Sequence, residues 1–388
     1  MQTASFINNS TYDRGQLNAQ MSARKRIAIL IHGGVGTGHF SQGYPPLEKL
    51  LMGLSGDFDL VVYSQSPANK NFSGKFIIRS ARGSIKSSLL RWLTVMKYFL
   101  ADNRKKKFDL IFSFWGYPAG FLGTCLSKIV GIPSVVYILG NDAAGIRSIN
   151  FGVFHKRIPR ILTLWTYRNA TILFAISEYQ AKQLAHYGVI KPIVVIPWGV
   201  EPGLYPFGHK KQGAVLRCIH VGHLTPVKDQ TTLLKAFLLI SKRLPVELRI
   251  LGVDCMNGAI QKLSKELGLE KKVSFLDMIP YHQMPDQYSW ADVMLHTSLS
   301  EGQGMALTEA AACGVLLAGT KVGLLHDLGE NCAIAVDVGD FENLAAKVVD
   351  AREAPDTWYN KVKNAKEWSD THDFSWTITE IKSHIDRL

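Results

Sequence analysis

The sequence contains few cysteines, and they form no recognisable motif. Its 388 residues include only five, scattered at positions 125, 218, 255, 313 and 332 without a Cys-x-x-Cys pair. This pattern excludes a disulfide scaffold and a cysteine-based zinc site, and it indicates a reducing compartment such as the cytosol. The 12 histidines likewise show no His-Glu-x-x-His or other paired ligand spacing. We therefore expect no protein-held metal.

Long hydrophobic runs are also absent. The apolar run 27–31, which follows Arg24, Lys25 and Arg26, is far too short to cross a bilayer. The polar stretch 1–22 lacks the apolar core of a signal peptide. We therefore expect a cytoplasmic protein without a transmembrane helix, one that can still lie against the inner face of a membrane.

Acidic residues are scarce in the first half of the chain. Residues 1–200 carry 24 Lys and Arg against 8 Asp and Glu, a net charge of +16, whereas residues 201–388 carry 20 against 24, a net charge of −4. A half with so much positive charge attracts anionic lipid headgroups, nucleic acid or a phosphorylated substrate. The length and this asymmetry together predict two domains.

Short apolar runs alternate with helical patterns along the whole chain, which is typical of α/β proteins with parallel sheets. The Pro- and Gly-rich stretch 197–212 breaks this alternation where the charge changes sign, so we place the interdomain linker there. Each half is expected to form its own doubly wound, Rossmann-like sheet. The predicted strands are 26–31, 60–63, 75–78, 110–112, 134–138, 171–174 and 193–196 in the first half, and 217–221, 247–251, 273–275, 293–295, 315–318 and 333–336 in the second.

The strongest motif is the stretch SEGQGMALTEA at 300–310. It places Glu301 in a loop after a predicted strand and Glu309 about one turn inside a helix. Unpaired amides at a helix start favour anions, so this arrangement fits a sugar diphosphate with a carboxylate on either side. The alternative is that Glu309 is a surface residue, which its apolar surroundings at 305–313 make less consistent. The amides between the two acids are those of Gly302, Gln303, Gly304 and Met305.

Three weaker patterns leave alternatives open. The loop GGVGTGH at 33–39 brings Gly34 and Gly36 after the first strand, either as a ligand-facing loop or as a plain turn, because its spacing matches neither GxGxxG nor a P-loop. Asp57 and Asp59 have the DxD form of a metal site but precede a strand, which favours a surface turn. The segment 82–107 predicts an amphipathic helix that faces the core, with a membrane-surface helix as the alternative.

The stretch EGQGMALTEAAACGVLL resembles the signature EGFGLxxLEAxACGxPV of the retaining glycosyltransferases of family 4, which have the GT-B architecture of two Rossmann-like domains facing a cleft. The resemblance implies that Glu301 contacts the donor sugar, that Glu309 binds the ribose hydroxyls, and that the amides of 302–305 hold the diphosphate. Gln303 stands where the family has Phe.

Other stretches extend the resemblance. VGHLTPVKD at 221–229 is similar to VGRLxxxKG, which implies that Lys228 neutralises the pyrophosphate, with a titratable imidazole, His223, in the position of the family's Arg. LDMIP at 276–280 corresponds to a loop whose backbone contacts the nucleobase, here at Met278 and Ile279. FWGYPAG at 114–120 and LGND at 139–142 are similar to HxWxxPAG and HGSD but lack their histidines. The candidates for contacts to the sugar or the acceptor are therefore Trp115, His39, Asn141 and Asp142.

The resemblance implies a complete functional hypothesis. Residues 1–200 would bind the acceptor, residues 201–372 the nucleotide-sugar, and residues 373–388 would form a helix that returns to the first domain. The enzyme would transfer a hexosyl unit with retention and without a metal or other cofactor, from a UDP- or GDP-linked donor to a glycan or lipid-linked acceptor in cell-surface polysaccharide biosynthesis, with no nucleic-acid partner. Alternatives are a non-catalytic nucleotide or nucleic-acid binding protein and a nucleotide-sugar epimerase. The catalytic contacts fall to Glu301, Lys228, His223 and Asp142.

Overall fold

The computed structural model describes residues 24–33, 35, 43–67, 74–207 and 213–388. In this part of the chain a seven-stranded parallel sheet has the order β3-β2-β1-β4-β5-β6-β7, and a six-stranded parallel sheet has the order β10-β9-β8-β11-β12-β13. The first comprises β1 (Arg26–Ile31), β2 (Asp59–Ser64), β3 (Ile77–Ser80), β4 (Leu110–Phe114), β5 (Ser134–Ile138), β6 (Ile172–Ala175) and β7 (Ile193–Val195). The second comprises β8 (Leu216–Val221), β9 (Val246–Leu251), β10 (Val273–Leu276), β11 (Val293–His296), β12 (Leu316–Thr320) and β13 (Ala333–Val336).

Helices cover both faces of each sheet, so the central strands are buried on both sides, and their unbroken apolar runs follow from that burial. The predicted fold class, two doubly wound parallel-sheet units of the GT-B kind, is thereby confirmed. The helices are α1 (Pro45–Leu54), α2 (Ser88–Lys105), α3 (Phe121–Val130), α4 (Arg157–Asn169), α5 (Glu178–His186), α6 (Gln230–Ser241), α7 (Ala259–Glu266), α8 (Met284–Trp290), α9 (Met305–Ala312), α10 (Leu324–Cys332), α11 (Phe341–Glu353), α12 (Pro355–Thr371) and α13 (Phe374–Asp386).

Helices α2, α3 and α4 lie on one face of the seven-stranded sheet. Trp92 and Phe99 of α2 pack with Ala28 and Ile111, and Tyr167 of α4 packs with Val136. The strand register puts positions 28, 111 and 136 on the same side of the sheet. The segment 82–107 therefore contains a core-facing helix, as its periodicity predicts, and its opposite surface remains exposed.

The last helix packs on the first sheet rather than the second. Ile381 and Ile385 of α13 are buried in one cluster with Leu47 of α1 and with Ile27 of β1. Gly53 permits the close approach, because a Cβ atom there would lie 2.2 Å from a side-chain carbon of Ile378. We call the seven-stranded sheet with its helices and α13 the N-lobe, and the six-stranded sheet with its helices the C-lobe.

The two lobes meet at the carboxyl ends of their strands. Gly302, in the loop after β11, packs against the loop after β5, where a Cβ atom at position 302 would lie 2.4 Å from the Leu139 carbonyl oxygen. The Ser177 hydroxyl donates a hydrogen bond to the Gly302 carbonyl. Loops that follow the strands of both lobes therefore line one cleft, which is where open α/β sheets bind ligands.

The Asp57-Phe58-Asp59 sequence lies away from that cleft, in the turn before β2 and at its first residue. Asp59 forms ion pairs with Arg26 at 3.4 Å and Lys106 at 3.0 Å, and Asp57 pairs with Lys382 at 3.5 Å. The pattern thus marks a surface turn, as its place before a strand predicts.

Candidate active site

The cleft holds two adjoining cavities. The C-lobe cavity, of about 330 Å³, and the N-lobe cavity, of about 660 Å³, share Tyr44 as a common wall. The C-lobe cavity is lined by several residues that the sequence singles out, namely His223, Lys228, Met278, Ile279, Met305 and Glu309. Three separate stretches of sequence therefore converge on one cavity.

Glu301 lies beside this cavity, and donors surround one of its carboxylate oxygens. The Lys228 ammonium donates a hydrogen bond to Glu301 Oε2, and the two side chains are only 21% and 19% exposed. His296 Nε2 lies 3.3 Å from the same oxygen, and the Ser298 hydroxyl lies 3.4 Å from it. The carboxylate is thus held between a cation and a buried imidazole.

These contacts decide the ionisation of the group. Burial alone raises the pKa of Glu301. The Lys228 ammonium and the His296 imidazole together lower it by more than burial raises it, so the pKa lies well below the ordinary value. Burial lowers the pKa of His296. At neutral pH the arrangement is therefore an ionised carboxylate, an ammonium and a neutral imidazole, and any anionic ligand at Lys228 would compete with Glu301 for that cation.

Sequence reasoning missed the histidines behind this pair. His296 ends β11 and is almost fully buried, and its ring stacks on that of His220 with a centroid distance of 6.2 Å. His220 Nδ1 lies 2.8 Å from the Leu295 carbonyl oxygen, and Gln230 Nε2 lies 3.3 Å from His220 Nε2. A polar residue in each of two apolar strands was the signal that could have pointed to them.

Neighbouring residues hold both the side chain and the backbone of Lys228 in place. A Cβ atom at Gly222 would lie 3.3 Å from Lys228 Cε, so glycine leaves room for the lysine stem. The Thr297 hydroxyl lies 3.2 Å from the Lys228 carbonyl oxygen and 2.9 Å from that of Asp229. Asp229, at φ +46°, caps α6 by accepting a hydrogen bond from the Thr232 amide at 3.2 Å. The ammonium is therefore presented to the cavity from a rigid turn.

Glu309 lies in the second turn of α9, which begins after Gly304 at φ +89°. The residue is 5% exposed, which shows that the surface alternative for Glu309 is wrong. The Tyr288 hydroxyl donates a hydrogen bond to Glu309 Oε2 at 2.7 Å. Burial raises the pKa of Glu309, and neighbouring tyrosine hydroxyls, Tyr288 first, oppose that rise only in part. The C-lobe cavity therefore contains a second carboxyl whose ionisation is disfavoured, in contrast to Glu301.

His223 lines the same cavity on an exposed loop. Its Nδ1 accepts a hydrogen bond from the Val253 amide at 3.1 Å, so in the neutral ring the proton lies on Nε2. The ring is therefore oriented as a neutral donor, which differs from the permanent charge of the arginine that the sequence comparison places here.

Two of the loop residues between the glutamates have structural contacts. The Gln303 side chain is 2% exposed, and it accepts a hydrogen bond from the Trp198 amide at 2.8 Å and donates to the Trp198 carbonyl at 2.7 Å. Gly302 contacts the N-lobe as described above. Gln303 thus joins the start of α9 to the backbone of Trp198. It does not line the C-lobe cavity, whereas Met305 does.

Asp277, Met278 and Ile279 follow β10 and form one wall of the C-lobe cavity. The Asp277 carboxylate accepts a hydrogen bond from the Met278 amide at 2.7 Å. This contact holds the loop against the cavity, as expected for a segment that contacts a ligand through its backbone.

The N-lobe cavity is lined by Trp115 and Asn141, together with His32, Ser66 and Tyr117. Trp115 has φ +67°, a left-handed conformation that a bulky side chain rarely adopts, and its amide donates to the Tyr137 carbonyl at 2.8 Å. Strained residues of this kind concentrate at binding sites. An aromatic ring here offers an apolar face to a ligand in this cavity.

Asp142 does not line either cavity. It is fully buried, and its carboxylate accepts hydrogen bonds from the amides of Gly116 at 2.8 Å, Gly140 at 2.9 Å and Leu139 at 3.2 Å. Burial raises its pKa, which these amides lower in part. The geometry makes Asp142 a positioning residue that joins the loops after β4 and β5, not a group that touches a ligand.

The remaining predicted site residues, Gly34, Gly36 and His39, lie outside the described residues. Within the described ranges, no helix is long and apolar enough to cross a membrane. In the same part of the chain, no three His, Cys, Asp or Glu side chains lie together as a metal-ion site would require.

Two family models match adjoining parts of the chain. The model described as Glycosyltransferase Family 4 matches residues 50–204, and the one described as Glycosyl transferases group 1 matches residues 206–368. The first match covers most of the N-lobe and the second covers the C-lobe, including Lys228, Glu301 and Glu309.

Individual proteins give the same picture. A D-inositol 3-phosphate glycosyltransferase of Pseudarthrobacter chlorophenolicus is 27% identical over 240 residues, 56% of this chain and 55% of that protein. The chain thus spans about half the length of the curated relatives it matches. Sucrose-phosphate synthase from Thermosynechococcus elongatus has a TM-score of 0.78 at 16% identity, over 94% of this chain and 99% of that one. The complex of HepE from Anabaena with UDP-glucose has a TM-score of 0.72 at 18% identity, over 94% and 100%. These two structures share the fold.

Proposed function

The chain belongs to the family 4 type of glycosyltransferases, and from this premise we propose that it transfers a hexosyl unit, with retention and without a metal, from a nucleotide-sugar to a hydroxyl group of a glycan or lipid-linked acceptor in cell-surface polysaccharide synthesis. The observation that carries the proposal is that Lys228, Glu309 and the loop 277–279 line one cavity. These are a cation, a carboxyl and a backbone wall, which are the groups that a diphosphate, a ribose and a base require.

This chemistry supports a donor site in the C-lobe cavity. Glu309 accepts hydrogen bonds, so it suits the ribose hydroxyls, and the loop of Met278 and Ile279 suits the planar base. Lys228 and the amides at the start of α9 suit the diphosphate. The structural relative HepE binds UDP-glucose, which supports a uridine nucleotide as the first donor to test.

The reaction needs stabilisation of its leaving group. The bond from the anomeric carbon to the diphosphate oxygen breaks, the acceptor oxygen bonds to that carbon on the same face, and the acceptor proton is released. Negative charge grows on the departing diphosphate, so Lys228 and the helix amides bind the transition state more strongly than the ground state. His223 Nε2–H adds a neutral donor on the same side.

The lining of the N-lobe cavity supports an acceptor site there. This cavity adjoins the C-lobe cavity at Tyr44, and Trp115 and Asn141 offer an acceptor one apolar face and one polar group. A sugar hydroxyl bound in the N-lobe cavity would face a donor bound in the C-lobe cavity, with Tyr44 beside both.

A ligand panel with one variant tests the proposal. We expect UDP or GDP sugars to raise the melting temperature of the wild-type chain, because a ligand stabilises the state that binds it. Glu309→Ala should lose that shift and glycosyl transfer, whereas Glu342→Ala, at an exposed acid of α11, should keep both. Full nucleotide affinity in Glu309→Ala would overturn the assignment of the donor site.

A further inference from the structure

Exposed aliphatic side chains cluster on the first turns of two helices of the N-lobe. At the start of α2, Leu89, Leu90 and Leu93 are 68%, 54% and 43% exposed. At the start of α4, Ile158 and Ile161 are 69% and 65% exposed. The buried residues of these helices are different ones, Trp92, Val95, Phe99 and Asn103 on α2 and Thr163, Thr166 and Tyr167 on α4.

Both groups lie at the same edge of the molecule. Helices α2 and α4 occupy the same face of the sheet, and each follows the carboxyl end of a parallel strand, so each begins at the edge that carries the cleft. Helix α3 lies on this face as well, and its preceding turn supplies Tyr117 and Pro118 to the N-lobe cavity. Both groups of exposed aliphatic residues therefore lie at the edge of the sheet on which the N-lobe cavity is found.

The charge around them has one sign. Segment 82–97 contains four Lys and Arg and no Asp or Glu, and segment 146–168 contains five Lys and Arg and again no Asp or Glu. The cations include Lys86, two residues before α2 begins, Lys97, four residues after Leu93 on α2, and Arg157, next to Ile158. We call these two segments together the basic rim.

We propose that the basic rim binds the surface of an anionic lipid bilayer. Aliphatic side chains enter the boundary between headgroups and acyl chains, while Lys and Arg pair with anionic headgroups. A nucleic-acid surface would instead present aromatic rings for base stacking between its cations, and the exposed large side chains of the basic rim are Leu and Ile. The combination of charge and aliphatic exposure thus favours lipid.

This placement specifies the acceptor more closely. With the basic rim on a bilayer, the N-lobe cavity opens beside the membrane surface, where the hydroxyl of a lipid-linked acceptor would lie. This consequence rests on the proposed function, whereas binding to the bilayer does not.

Vesicle flotation without donor or acceptor tests the proposal. The wild-type chain should float with vesicles of equal parts phosphatidylglycerol and phosphatidylcholine, should float much less with phosphatidylcholine alone, and should dissociate at high salt because surface charges are screened. A chain with Leu89→Ser, Leu90→Ser and Leu93→Ser, and a second with Ile158→Ser and Ile161→Ser, should each bind the anionic vesicles about tenfold more weakly or worse.

Matched controls come from the same lobe. Ile129, 68% exposed at the last turn of α3, lies at the opposite edge of the sheet, and Ile190, 96% exposed, follows α5. Ile129→Ser and Ile190→Ser should float like wild type. Equal flotation of the rim variants and wild type would overturn the proposal, as would binding to RNA in place of vesicles. The rise in melting temperature that a nucleotide-sugar causes should be the same in these variants as in wild type. Loss of lipid binding is thereby distinguished from loss of donor binding.

Discussion

Two glutamates eight residues apart have opposite electrostatic environments. Glu301 has a cation within hydrogen-bond reach, and its pKa is held well below the ordinary value. Glu309 accepts a hydrogen bond from the Tyr288 hydroxyl in its buried position, and burial raises its pKa. Ligand groups that donate hydrogen bonds favour the ionised form of a carboxyl, so binding a ribose at Glu309 would lower its pKa. Glu301, in contrast, is ionised before any ligand arrives.

The buried histidine His220 predicts a loss of stability in acid. Burial lowers its pKa from the ordinary 6.5 to about 3. Between these values the unfolded chain binds a proton that the folded chain does not, so the free energy of unfolding falls as the pH falls below about 6.5. His220 alone should remove on the order of 2 kcal/mol between pH 7 and pH 5.

Denaturant unfolding of wild type and His220→Gln across this pH range measures the effect. The variant should lose less stability on acidification than wild type, while His282→Gln, at an exposed histidine, should follow wild type. Identical pH slopes for wild type and His220→Gln would contradict the prediction. His296 contributes in the same direction, so a residual slope in the variant is expected.

The sequence could identify residues that carry chemistry in a local motif, but not residues that reach the site from elsewhere. Lys228, Glu309 and Met305 line the cavity because their motifs follow strands at its edge. Tyr288 and His296 come from a helix and a strand whose local patterns contain nothing unusual beyond one polar residue. The motif position of Gln303 predicts a donor contact through its amide, and nothing in the local sequence predicts that its side chain binds the backbone of Trp198.

At the scale of elements, the N-terminus of α5 is capped from the other lobe. The Asp327 carboxylate, on α10 of the C-lobe, accepts hydrogen bonds from the amides of Glu178 at 2.8 Å and Tyr179 at 2.9 Å. These amides have no partner within their own helix, and an acidic group there also favours the helix dipole. The cap therefore links the helix to the relative position of the lobes.

Asp327→Ala should weaken that link. We expect a loss of about 1 kcal/mol in unfolding free energy, typical of a removed cap, and faster hydrogen exchange at the amides of 178–180. Asp340→Ala removes a cap within the C-lobe, where Asp340 accepts from the Asn343 amide at 3.1 Å, and should cost similar stability without faster exchange in 178–180. Unchanged exchange in Asp327→Ala would contradict a role for the cap.

Strands were predictable where both faces are buried. The predicted strands 26–31 and 134–138 coincide with β1 and β5, because a strand inside a parallel sheet is continuously apolar. The strand predicted at 75–78 begins two residues before β3, an edge strand whose side chains are partly exposed and carry a weaker pattern. The turn at Trp115 was not predictable, since nothing in the local sequence requires a positive φ at a tryptophan.

At the scale of the whole molecule, the chain crosses between the lobes twice at one place. Near the first crossing the Phe374 amide donates to the Val200 carbonyl at 3.0 Å, and the Thr377 hydroxyl donates to the Pro197 carbonyl at 2.9 Å. Gly199 makes room for this contact, because a Cβ atom there would lie 2.2 Å from the His372 carbonyl oxygen. Helix α13 thus completes the hydrophobic core of the N-lobe.

This arrangement predicts where a substitution near the chain terminus acts. Ile381 is fully buried in the N-lobe core, so Ile381→Ala should cost about 3 kcal/mol, as cavity-forming substitutions do. The lost protection should appear in the N-lobe although the residue follows the C-lobe in sequence. Hydrogen exchange in mild denaturant measures it, with peptides from β1 and α1 expected to exchange faster. Leu344 is equally buried in the C-lobe, so Leu344→Ala should instead accelerate exchange in β8 and α6. Faster exchange in β8 and α6, but not in β1 and α1, for Ile381→Ala would show that α13 does not stabilise the N-lobe.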